Sequence, residues 1–350
     1  MSAMTVVCPF CPLHCDDVNP AALRAGETGC RVADSRANGV RRESSSLATS
    51  ADLETCRRWV EEASQIVISG YVIDLETARA ISEFATTTGA AVKVNGTNPT
   101  ASKLFAREGG FYTTLGELSS RAVSVLVIGD PATHWPRLEE RLRHVKAIVR
   151  WPDSSALPQR IAALRLHTAK RFSDQSTVDD ELAAAIQLVN DSTYLVVLIA
   201  PLHETISRSP VVWSSIFGLV RERNKVSRAA ILSFDPSVTV RSVLASRNDP
   251  LPFAFPCNES SLCIEFSPFG ERSSKSTGRK IIIGLAKPSL GSNQRLLPAG
   301  VPGMHHAGIV IRGDGSVTLP LQSWQVGSNV DNLLATPADY LRILQGNCAT

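Results

Sequence analysis

The run Val123-Ser-Val-Leu-Val-Ile-Gly-Asp130 constrains the fold more than any other stretch of this chain. A short, charge-free apolar run that stops at Gly-Asp reads as a buried strand. Similar runs recur at Ile66–Gly70, Ala90–Val94, Ala147–Arg150, Tyr194–Ala200 and Ala229–Ser233. Between them lie stretches with helical periodicity: Asp52–Gln65, Asp74–Thr88, Asn98–Glu108, Trp135–His144, Asp179–Asn190, Pro210–Arg223 and the short Thr239–Ala245. In the first, Leu53, Trp59, Val60 and Ala63 fall near one face; in the second, Asp74 is placed to cap the helix. Strand and helix in alternation predict βαβ units and parallel sheets, hence an α/β fold.

Asp249-Pro-Leu-Pro-Phe marks a boundary, and from residue 260 the texture becomes β-rich. Strands are expected at Leu262–Phe266, Lys280–Leu285 and Gly308–Leu321, the last turning at Asp314-Gly315. A helix over Pro337–Gln345 closes the pattern, with Thr336 as its cap. The expected organisation is a small N-terminal cysteine module with its link (1–50), a first α/β domain (51–155), a second (156–250) and a β-rich C-terminal segment (251–350). Residues 36–50 read as an exposed polar link.

The chain has 350 residues, 43% hydrophobic and 20% charged, with a net charge of +3: enough for two or three domains, and too balanced to point to nucleic acid. No apolar run approaches the ~20 residues that span a bilayer. Residues 1–30 lack the basic and apolar regions of a secretory signal, so a cytoplasmic protein with reduced thiols is expected.

Four cysteines crowd the first thirty residues: Cys8, Cys11, Cys15 and Cys30, spaced C-x2-C-x3-C-x14-C. Three thiols in one tight loop and a fourth from a later segment suit a four-iron cluster. Structural zinc usually takes paired knuckles, and disulfides need an oxidising compartment. A zinc site, or a loop that holds no metal, stays open beside the cluster. Cys56, Cys257, Cys263 and Cys348 are scattered and read as small buried hydrophobes.

Four segments resemble the B subunit of formylmethanofuran dehydrogenase, a tungsten or molybdenum member of the molybdopterin oxidoreductases. The first is Cys8-Pro-Phe-Cys11-Pro-Leu-His-Cys15-Asp16-Asp17, with Gly29-Cys30-Arg31. The others are Thr114-Leu115-Gly116-Glu117 with Arg121-Ala122; Val127–Pro131 with Pro136-Arg137; and Leu297-Pro-Ala-Gly-Val-Pro-Gly303, followed by Arg312-Gly-Asp314-Gly315. The resemblance implies a molybdopterin-oxidoreductase-like scaffold and a 4Fe-4S cluster on Cys8, Cys11, Cys15 and Cys30. One departure matters. In that family a cysteine or selenocysteine ligates the metal shortly before the Thr-Leu-Gly-Glu segment. Here Val94–Ser102 holds no cysteine, and none occurs between Cys56 and Cys257. Asn98-Pro99 stands about where the thiolate would be, and an amide is a poor ligand for such a metal.

A scaffold without its metal ligand is most similar to the B subunit of the bacterial formyltransferase/hydrolase complex. That complex passes a formyl group from formyl-tetrahydromethanopterin to a methanofuran analogue and releases formate. The resemblance implies a non-catalytic subunit, without tungsten or molybdenum pterin, held with the hydrolase A, transferase D and C subunits. An active dehydrogenase subunit, with Ser102 or Asn98 as metal ligand, is the alternative; a stand-alone iron–sulfur or zinc module is a third.

Other residues have plainer readings. His14 is read as lying behind the ligands or exposed, and Asp16 and Asp17 as capping a turn. His134 follows a strand end, where α/β sheets bind ligands. His305 and His306 are adjacent and so point apart; Glu117 and Arg121 form an i,i+4 helix pair. No phosphate-binding glycine loop or nucleophile motif occurs.

Overall fold

The structure, a computed structural model, describes residues 5–42, 48–94, 99–170, 178–246, 261–270, 278–285, 290–323 and 335–346. In chain order its strands are β1 (Gln65–Gly70), β2 (Ala91–Val94), β3 (Ser124–Ile128), β4 (Ala147–Trp151), β5 (Tyr194–Ile199), β6 (Arg228–Leu232), β7 (Ser261–Ser267), β8 (Lys280–Gly284), β9 (Gln294–Pro298), β10 (Gly308–Ile311) and β11 (Thr318–Leu321). They form a five-strand sheet in the order β2-β1-β7-β8-β9, a four-strand sheet β4-β3-β5-β6, and the hairpin β10-β11. Both larger sheets are parallel throughout. This is the expected α/β class.

The chain divides into two compact units. One joins Met1–Gly96 to Asp235–Thr350; the other is Thr97–Phe234. They differ from the four consecutive segments expected at 1–50, 51–155, 156–250 and 251–350. The reason is strand pairing. β7 lies beside β1 in register from Gln65↔Ser261 to Gly70↔Phe266, so the C-terminal segment completes the first sheet. β3 pairs with both β4 and β5, so no boundary falls at 155.

In the Thr97–Phe234 unit every residue of β3 and β5 is buried, as a parallel sheet covered on both faces requires. Leu126, Ile128, Leu195, Val197 and Ile199 meet Phe217 and Val220 of the Pro210–Arg223 helix in one core. The Thr-Leu-Gly-Glu segment is structural here. Thr114 caps the Leu115–Arg121 helix, accepting from the Glu117 N–H at 3.1 Å. Glu117 Oε2 accepts from Thr113 and from the Tyr194 hydroxyl, each at 2.9 Å, and from Arg228 at 2.8 Å. Tyr194, Thr113 and then Arg228 hold the Glu117 carboxyl below the usual carboxylate range. The expected Glu117–Arg121 pair is present at 3.6 Å.

In the other unit Ile66, Ile68, Ile264, Phe266, Ile281 and Ile283 face the helices Ser50–Glu62, Leu75–Thr88 and Pro337–Leu344. The alternate residues of β7 and β8 point to the opposite face. There Lys280, wholly buried, donates to Glu265 Oε2 at 2.9 Å. Helix ends follow the residue chemistry. Thr49 with Asp52, and Thr336 with Asp339, form reciprocal capping boxes.

Two expected boundaries are corrected. Residues 36–50 are not all a link: the helix Arg31–Arg42 occupies their start, and 43–47 lie outside the described residues. The helix expected over Trp135–His144 is two short pieces, Pro131–His134 and Leu138–Arg141. Pro136 has no N–H to donate and disfavours helical geometry at Trp135. Among the described residues, no helix is long and apolar enough to cross a membrane.

Candidate metal centre

The three-cysteine loop is a closed excursion. Val6 and Val18 pair across its base, and the Cys8 N–H donates to the Cys15 carbonyl at 2.8 Å. Inside, the His14 N–H donates to the Cys11 carbonyl at 3.1 Å, with His14 in a left-handed backbone conformation at φ 41°. Cys30 arrives just before the Arg31–Arg42 helix. It is held there by Thr28, whose hydroxyl accepts from the Cys30 N–H at 3.1 Å and donates to Asp34 at 2.7 Å.

All four thiols are free and buried. They converge closely enough for the others' charge to raise Cys8, and for that of Cys30 to raise Cys11. Burial, then Cys11, Cys15 and Cys30, push the Cys8 thiol well above its ordinary range, against the Phe10 N–H. Burial takes Cys11 to about 11, opposed by the Leu13 and His14 N–H groups and by Arg36. Four desolvated thiols aimed together are stable as thiolates only beside compensating positive charge. Among the described residues, no three His, Cys, Asp or Glu side chains are gathered tightly enough to hold one ion. A four-iron cluster makes a different demand, because each thiolate takes its own iron. Four buried thiols, with N–H groups turned to the sulfurs of Cys8 and Cys11, are the kind of donor set such a cluster takes.

Distant segments build the seat. The Gly313 N–H, in the Arg312–Gly315 turn, donates to the Pro12 carbonyl at 2.7 Å. Gly303 (φ 79°) lies so close to the loop that a Cβ there would stand 3.3 Å from Pro9 and 3.2 Å from Leu321. The fourth sequence segment, Leu297–Gly303 with Arg312–Gly315, thus packs on the first. His14 is buried, not exposed, and its Nδ1 lies 3.1 Å from the Cys8 carbonyl, to which it donates. Burial lowers it to about 4, so it is a neutral brace for the loop.

The remaining candidates stay apart from this centre. Asp16 and Asp17 are exposed. Asp130 caps the Pro131–His134 turn through the Thr133 N–H at 3.4 Å, His134 is exposed, and Trp135 packs on Phe234 with ring centroids 4.9 Å apart. His305 accepts from the Val301 N–H at 2.9 Å, while both ring nitrogens of His306 are buried without partners. Ser102 is exposed, and Asn98 lies outside the described residues. Cys56 and Cys263 are buried as expected; Cys257 and Cys348 lie outside the described residues.

A second feature was not visible in the sequence. At the carboxyl ends of β1, β7 and β8 a cleft is lined by Tyr71, Asp74, Thr77, Gly284, Gly300 and Pro302. Asp74 caps the Leu75–Thr88 helix by position only: its side chain makes no cap hydrogen bond, and its Oδ1 is buried without a partner among the described residues. Burial raises the Asp74 carboxyl above its usual range. Strand ends of parallel sheets are where such folds bind ligands. This cleft has space for about one water.

No protein-family model and no curated protein matches the chain. A solved structure does: a chain of the formyltransferase/hydrolase complex (FhcABCD) from Methylorubrum extorquens, crystallised with methylofuran. The TM-score is 0.67 over 87% of this chain and 97% of that one, at 15% sequence identity. At that identity the likeness is one of fold.

Proposed function

We propose that this chain is a non-catalytic, B-type subunit of a formyltransferase/hydrolase complex acting in one-carbon metabolism on formyl-tetrahydromethanopterin. The observation that carries the reading is the shared fold with a chain of such a complex, spanning nearly all of that chain. Cys8, Cys11, Cys15 and Cys30 would hold a four-iron cluster, whose iron supplies the positive charge that four buried thiolates require. With no thiolate between Cys56 and Cys257 to bind a redox metal, the cluster serves as a structural staple. It ties the first loop to the helix that begins at Arg31. The partners are the hydrolase A, transferase D and C subunits, in the cytoplasm.

The test is anaerobic co-expression with those three subunits, followed by size exclusion and elemental analysis. Co-elution with about four irons per chain and neither tungsten nor molybdenum is expected. Stoichiometric tungsten or molybdenum would replace this reading with an active dehydrogenase subunit. A stable monomer that ignores the other subunits would leave a stand-alone module.

A further inference from the structure

We propose that Arg36 is a positioning residue for the cluster, clamping the three-cysteine loop to the helix of the fourth cysteine and setting the cluster's reduction potential with its charge. The inference rests on the cluster reading above. Arg36 lies in the helix that starts directly after Cys30. Its guanidinium reaches back to the Phe10 carbonyl, and Phe10 sits between Cys8 and Cys11. One side chain thereby spans the two segments that supply the ligands.

The guanidinium is not free to swing. It lies 4.6 Å from the Phe269 ring centroid and 5.7 Å from that of Tyr71. Phe269 in turn packs on Phe10 at 5.3 Å and on Tyr71 at 5.8 Å. Phe10 is fully buried, so the carbonyl that Arg36 caps belongs to a loop with no slack. An arginine on a helix surface is ordinarily a solvated charge, worth little. This one is stacked in an aromatic corner and hydrogen-bonded inward, where Coulomb effects are larger.

The chemistry gives a direction. Reduction adds one negative charge to a cluster, and a fixed cation nearby favours the reduced form. Removing the cation therefore moves the midpoint to more negative potential. The test is a redox titration, followed by electron paramagnetic resonance, of the anaerobic complex carrying Arg36→Gln, with iron counted in the same samples. Full iron with a more negative midpoint is expected; full iron with the wild-type midpoint and spectrum would overturn the proposal. If Arg36→Gln loses its iron, Phe269→Leu decides. It keeps the charge but removes the ring that pins it, so a shift in the same direction supports the proposal and an unmoved midpoint refutes it. A wild-type complex with no four-iron cluster would defeat the cluster reading itself, and this inference with it.

Discussion

The four-strand sheet of the Thr97–Phe234 unit comes from one unbroken stretch of chain, whereas the five-strand sheet is assembled from two stretches separated by that whole unit. The interiors differ accordingly. β3 and β5 carry mainly aliphatic side chains to both faces. β7 and β8 carry apolar side chains to one face, and to the other a buried Lys280–Glu265 pair beside Ile282. The strand ends differ too. β1 and β8 end at Gly70 and Gly284, where a Cβ would stand 2.2 Å and 2.1 Å from backbone oxygens of β7. The counterpart after β3 is Gly129, where a Cβ would meet side-chain carbons of Ala200 and Leu202 at 3.1 Å and the nearest backbone oxygen only at 3.6 Å. The lesson is that the contiguous unit tolerates adjustment, while the discontinuous one depends on single contacts. The cysteine centre and the strand-end cleft both lie in the latter.

Three measurements would break or sharpen that contrast. The largest effect is expected from Lys280→Met, which takes from the buried Glu265 carboxylate the ammonium 2.9 Å away and costs about 3–5 kcal/mol. Coupling it to Glu265→Leu should restore most of that loss. Hydrogen exchange read strand by strand checks both, with protection lost at β1, β7 and β8 first; equal loss at β3 and β5 would erase the distinction. Next comes a matched pair of glycine substitutions. Both positions have positive φ, 149° at Gly284 and 87° at Gly129, so each alanine meets about 1–2 kcal/mol of backbone strain. Only Gly284→Ala also drives a methyl into backbone. Denaturant titration should therefore rank it as the more costly of the two, and the reverse order would contradict the account.

The smallest effect is a pH slope. Burial, with His305 adding to it, lowers His306 to about 4. Between that value and the ordinary 6.5 the unfolded chain binds a proton that the folded chain refuses. Stability is then complete above pH 6.5 and declines as the pH falls toward 4, by on the order of 1–3 kcal/mol. His306→Leu should flatten this slope, leaving the part due to His14, which is lowered to about 4 in the same way. An unchanged stability–pH curve would mean that the ring accepts its proton without penalty.

Much of the fold is legible from local pattern. The apolar runs at Ile66, Val123 and Tyr194 are strands within two residues of their expected limits, and Thr336 caps the last helix as its sequence implies. Asn19-Pro20, with Gly26 at the other end, carries the signals of the short Pro20–Ala25 helix, although the segment is too brief to register as periodic. What local pattern lacks is pairing. Nothing in the sequence of β7 names β1 as its neighbour, so the insertion of one unit into another was invisible. The cysteines announced themselves by their close spacing alone. Arg36, Gly303 and Gly313 did not, because they act on the loop from positions set by the fold alone. Asp74 was legible as a helix start, and its buried unpaired oxygen was not.

The seat of the cysteine loop has a consequence for how the protein is made. Pro12 leaves the ribosome early, but Gly313, whose N–H secures it, follows about 300 residues later. At ordinary rates of synthesis that interval is roughly 15–60 s. Through it the four thiols are present on the nascent chain without the C-terminal hairpin that covers their loop. The contiguous sheet is finished inside the same interval. The seat of the loop therefore has a time window written into the order of the chain, with the four thiols lacking that cover until the last strands arrive.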